Sequence, residues 1–192
     1  MAGIPVIDTG PMTVEDFYAF TDMRPDEEKW ELIDGEPILN ASPSTLHQWI
    51  IGNLIVALAR QRADDASWAA IPGVGVRVSD ISRPEPDVMI VPRAAMKLHP
   101  SERHTIEATV LFEIASPSTS KHDFQWKRAA SASMPKLTHY VVIAQDAVEV
   151  VVFARETGFA EQRLRGLDAK LDFPPLGVSL SLTEIYRDTG LA

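Results

Sequence analysis

Four short apolar runs, rich in β-branched and aromatic residues, set the tightest limit on how this chain folds. They are "DVMIV" at 87–91, "ATVLFEIAS" at 108–116, "HYVVIA" at 139–144 and "VEVVVFA" at 148–154. Each is too short for a buried helix and too evenly apolar for a loop, so each reads as a strand of a covered sheet. Two of these runs carry an acid where a carboxylate is expensive to bury. Asp87 opens the first, and Glu113 lies near the end of the second. A charge held there needs a loop, a cationic partner or an ion.

Other segments supply the cover. "TVEDFYAFTD" at 13–22 starts with Thr13 as an N-cap and reads as a short helix. "KWELIDGEPILN" places an Asp34-Gly35 turn between two short strands, a hairpin. "STLHQWIIGNLIVALARQRADD" repeats Leu46, Ile50, Leu54, Ala57 and Leu58 at helical spacing and reads as the longest helix. "ASWAAIPGVGVRVSD" is broken strand material, and "RAAMKLHPSERHT" a turn of helix plus a polar loop. "SPSTSKHDFQWKRAASAS" is helical again, followed by three strands with turns near Gln145-Asp146 and Thr157-Gly158. A Pro-Pro segment then precedes a capped short helix in "SLTEIYRD". The sum is a mixed α/β (α+β) chain, a sheet flanked by helices, read as one domain over residues 1–192.

Composition narrows the chemistry. With no cysteine, disulfides, thiolate zinc sites and cysteine nucleophiles are excluded, and any metal would meet oxygen ligands. A net charge of −9 repels phosphate over most of the surface and argues against broad nonspecific nucleic-acid binding. No stretch is long and apolar enough to span a bilayer, so no membrane partner and a cytoplasmic location are expected.

If the first two apolar runs are neighbouring strands with their acidic ends aligned, Asp87 and Glu113 face one space. Two such carboxylates ask either for a divalent ion or for a shared proton in the manner of a base. The nearest cations in sequence are Lys121 and Lys127, on the following helix.

In order, "WELIDGEPI", "SPSTLHQWIIGNL", "RVSDISRPEPDVMIVP", "FEIASPSTSKHDFQWK" and "HYVVIAQDAVEVVVF" resemble the Uma family, a restriction-endonuclease-like branch of the PD-(D/E)XK nuclease superfamily. The resemblance runs from about Thr13 to about Tyr186. It implies a restriction-endonuclease-like core, with a mixed central sheet flanked by helices and a C-terminal β-meander. It also implies an endonuclease that uses Mg²⁺ or Mn²⁺ and acts on DNA. Asp87 corresponds to the Pro-Asp aspartate and Glu113 to the acid of the (D/E)XK motif, whose lysine position holds Ala115 here. The lysine is then expected on the next helix, at Lys127 rather than Lys121. Asp87, Glu113 and the backbone carbonyl of Ile114 would hold the ion, and Lys127 would act as base or as electrostatic clamp. Glu31 matches a further acidic position that reaches the site, and His47 falls on a family position without an assigned role. The chain departs from the family at "SASMPKLTHYVVI", beside the lysine helix.

Plainer readings compete. Asp after Pro is a common loop element, Glu31 in a hairpin commonly faces solvent, and Glu113 with Lys127 could form a metal-free structural salt bridge. The last of these suits a non-catalytic interaction module, as a homodimer. A third option is a hydrolase of small phosphoesters. His99, His104, His122 and His139 lack ligand spacing, and "GVGVRV" has Val78 where a dinucleotide loop needs its third glycine. "SPSTS" lacks a nucleophile elbow and reads as a helix cap, while Trp30, Trp49, Trp68 and Trp126 read as core or interface anchors.

Overall fold

The computed structural model describes residues 10–62, 67–98, 101–115 and 121–191, and only the backbone at 97, 98 and 121–124. The expected cap over 116–120 therefore lies outside the described residues, as does the "ADD" end of the expected long helix with its neighbour Ala66.

At the centre stands β7 (Val110–Ala115), between β5 (Val88–Pro92) and β8 (His139–Ala144). The sheet continues through β9 (Glu149–Ala154) and β10 (Glu161–Arg165) on one side and β3 (Trp68–Pro72) on the other. Its order is β10-β9-β8-β7-β5-β3. Within this sheet, among the described residues, the one parallel pair is β7 and β8, and α4 (Lys121–Ser133) makes the crossover that a parallel pair requires. The meander expected after this helix is thus the sheet's own far half, β8-β9-β10.

The apolar runs are continuous because both faces of the sheet are covered. Val88, Ile90, Val110, Phe112 and Val141 pack on one side against Ile50, Leu54 and Leu58 of α2 (Thr45–Gln61). Met89, Val91, Leu111, Tyr140 and Val142 point to the other side, toward Met134, Leu137 and Phe159. Two further elements close the first face: the hairpin β11 (Lys170–Phe173) with β12 (Val178–Ser181), and α5 (Leu182–Ile185) with its Ser181–Glu184 capping box. Sequence periodicity missed that hairpin, because four-residue strands alternate only twice and the Pro-Pro segment between them reads as a plain connection.

A smaller cluster sits beside the sheet. α1 (Val14–Thr21), held by the Thr13–Asp16 capping box, buries Val14 and Phe17 against Leu32 of β1 (Trp30–Ile33). β1 pairs with β2 (Glu36–Leu39) around Asp34 and Gly35, both at positive φ (48° and 82°), the two-residue turn expected from the sequence. Reciprocal backbone hydrogen bonds between Leu32 and Arg83 (3.2 and 2.7 Å) fasten the hairpin to the segment leading into β5. Near it, β4 (Gly75–Val76) pairs in parallel with β6 (His104–Thr105), and α3 (Arg93–Leu98) follows β5.

Candidate active site

Asp87 and Glu113 meet because register and side-chain alternation agree. β5 and β7 are antiparallel with Val88 opposite Phe112, so one step further Asp87 lies opposite Glu113. Asp87 shares the parity of Met89 and Glu113 that of Leu111, which directs both toward the same face. The junction is closed by a hydrogen bond in which Ile114 N–H donates to Asp87 Oδ2 at 2.7 Å. The proline-bounded aspartate is thus held by the strand beside it.

Lys127 comes from α4, on the crossover between β7 and β8. Its Nζ lies 3.0 Å from Glu31 Oε1 and 3.3 Å from Glu113 Oε1. Glu31 is 3% exposed, and the same Oε1 accepts the Glu85 backbone N–H at 2.7 Å. The expectation that a hairpin acid faces solvent fails here, because β1 is clamped over the β5 entry and turns Glu31 inward. All four expected side chains, Asp87, Glu113, Lys127 and Glu31, line one cavity of about 1240 Å³, as does Ile114. Lys121 opens α4 six residues before Lys127, and its side chain lies outside the described residues.

Burial pushes the Glu113 carboxyl up to about 8, with Glu31 and Asp87 adding to the rise and Lys127 opposing it. Three acids against one ammonium leave the pocket short of positive charge. Among the described residues no three His, Asp or Glu side chains form a ready metal cluster. The donors present are two carboxylates and the main chain at Ile114, a hard-oxygen set that fits Mg²⁺ or Mn²⁺ with water or phosphate completing the shell.

Three neighbours were given no part in the site by the sequence reading. His47, near the start of α2, puts Nε2 3.4 Å from Asp87 Oδ2, and its buried Nδ1 has no partner. The signals available were its match to a family position and its place on a helix facing the sheet. Trp126 lines the cavity, its indole N–H donating to Asp34 Oδ2 at 2.7 Å across to the hairpin turn. Of the four tryptophans only Trp68 is a core residue, and Trp49 is 49% exposed. Asp34 itself was read purely as a turn residue.

The Uma2 family, described as "Putative restriction endonuclease", matches residues 14–183. The crystal structure of a putative nuclease belonging to DUF820 from Anabaena variabilis ATCC 29413 superposes with a TM-score of 0.76. That superposition covers 92% of this chain and 98% of that one at 17% sequence identity, a likeness of fold. No curated protein matches the sequence. A family match from the first helix to the last, spanning every element that brings the acids and the lysine together, makes this chain a member of the Uma2 family.

Proposed function

We propose that the protein is a divalent-metal-dependent endonuclease hydrolysing phosphodiester bonds in DNA, acting in the cytoplasm. The observation that carries this reading is Asp87 set against Glu113 across β5 and β7, with the Lys127 ammonium 3.3 Å from Glu113. Asp87, Glu113 and the Ile114 carbonyl would hold Mg²⁺ or Mn²⁺, which when bound supplies charge neutralisation at the phosphate and a more acidic water. Ile114 N–H fixes one oxygen of Asp87. Glu31 fixes Lys127, which as an ammonium donor would hold the attacking water and offset negative charge building on the phosphoryl oxygens.

A second reading draws on the Glu31–Lys127–Glu113 ion pairs: a buried structural triad in a non-catalytic, homodimeric interaction module. A plasmid-nicking assay separates the two. Wild type should nick with Mg²⁺ or Mn²⁺ and not with chelator. Asp87→Asn, which keeps an acceptor for Ile114 N–H, should lose both Mn²⁺ binding by calorimetry and nicking. Lys127→Met should lose nicking while still binding the ion. A wild type that neither binds Mn²⁺ nor cuts DNA leaves the module.

A further inference from the structure

We infer that the groove takes single-stranded DNA, with a base of the substrate stacked on Trp126. The inference rests on the reading of this groove as a phosphodiester-cleaving site. Trp126 and Lys127 of α4 line the same cavity and reach the same hairpin, at Asp34 and Glu31, so a base lying on the indole would neighbour the bond that the lysine serves.

The indole is already oriented. Its N–H is satisfied by Asp34 Oδ2, while Asp34 Oδ1 accepts from Ser82 Oγ at 3.2 Å and the Asp34 backbone N–H donates to the same hydroxyl at 3.0 Å. A residue tied at its edge in this way presents its ring at little further cost in entropy. Trp126 is half-buried and lines the cavity, and among the described residues no aromatic ring stacks on it and no guanidinium covers it.

Charge selects the kind of nucleic acid. The cavity is lined by Glu31, Asp34, Glu36, Glu85, Asp87 and Glu113, against Lys29 and Lys127 as its only cations among the described residues. Duplex binders gain affinity by neutralising many phosphates with Lys and Arg. This groove repels phosphates everywhere except at the lysines and the proposed ion. Single strands carry phosphates too, so in this acidic groove the affinity has to come from stacking on base faces, which tolerates any sequence but requires bases freed from their partners. The space agrees: about 1240 Å³, with Ile33, Ile38, Pro43 and Ile51 as an apolar wall, is more than one phosphate needs and offers bases something to pack on.

The test is anisotropy of a labelled short oligothymidylate with Ca²⁺ in place of the reactive ion, on wild type, Trp126→Ala, Trp126→Phe and Trp126→Leu. Expected results are about tenfold weaker binding for the Ala and Leu variants, near-wild-type binding for Phe, and weaker binding of a matched duplex. The dependence of log Kd on log salt should be shallow. Equal affinity of wild type and Trp126→Leu, equal or tighter binding of the duplex, or no binding of the oligonucleotide by wild type would each overturn the inference. Stacking that persists in a protein unable to nick with any ion defeats the nuclease reading alone. Nicking that persists with a Trp126-independent Kd defeats stacking alone.

Discussion

Gly75 and Arg83 show how one residue can be required by another far from any reaction. Arg83 is 7% exposed, lies over the rings of Phe17 and Tyr18, and binds Glu85 at 2.8 Å and the Arg103 carbonyl at 2.7 Å. It threads so close to β4 that a Cβ on Gly75 would fall 2.0 Å from its Nε. The glycine in "GVGVRV" is therefore there for close approach, and has nothing to do with a nucleotide loop. Gly75→Ala should destabilise the fold by roughly 1–3 kcal/mol, since a buried guanidinium must shift from its partners. Urea denaturation measures this, and an unchanged midpoint would contradict the packing. At the same scale Asp87 was legible as an acid out of place, whereas Glu31 was legible only through the family resemblance. Its burial follows from where the hairpin docks, which no local pattern in "WELIDG" records.

Among the elements, α5 earns its position through Tyr186, the residue that ends it. The buried hydroxyl lies 2.8 Å from the Ala144 carbonyl and 2.7 Å from that of Glu149, strapping together the ends of β8 and β9. Burial raises this phenol above its ordinary value, so it stays a donor across the working pH range. Tyr186→Phe should cost about 1–2 kcal/mol, read as a lower melting temperature with the sheet's far-UV signal retained. His139 opens β8 edge-on to Phe173 at 5.0 Å, and burial holds its imidazole below the usual 6.5. Its folded form stays neutral where the unfolded chain already binds a proton. Its contribution is therefore complete above pH 6.5 and is lost as pH falls from there toward the depressed folded value. Glu113, its carboxyl pushed up to about 8, adds stability as it protonates over the same range, so the readout is a difference: between pH 7.5 and pH 5.5 (a chosen window of about two units around an ordinary histidine) wild type should lose more urea resistance, or gain less, than His139→Gln. Equal changes would remove His139 as the cause.

Across the whole molecule, the charge imbalance of the pocket would couple the proposed metal to stability. An ion that binds only the folded state stabilises by mass action, about 2.7 kcal/mol at a hundredfold excess over Kd. Mn²⁺ should raise the melting temperature of wild type and leave that of Asp87→Asn unmoved, and a wild type melting alike in Mn²⁺ and chelator would contradict the proposed donor set. The sequence by itself determined the strands of the central sheet, the helix that crosses between β7 and β8, and the two acids that stand at the facing ends of β5 and β7. Those depend on apolar runs, caps and turn residues, which act over a few neighbours. It could not determine, beyond marking Glu31 and His47 as family positions, that Glu31 binds Lys127, that His47 approaches Asp87, or that Trp126 is tied to Asp34. Each of these contacts joins residues more than thirty positions apart. Only the docking of the hairpin and α2 onto the sheet brings them together, because the packing of whole faces sets such distances and local propensity does not.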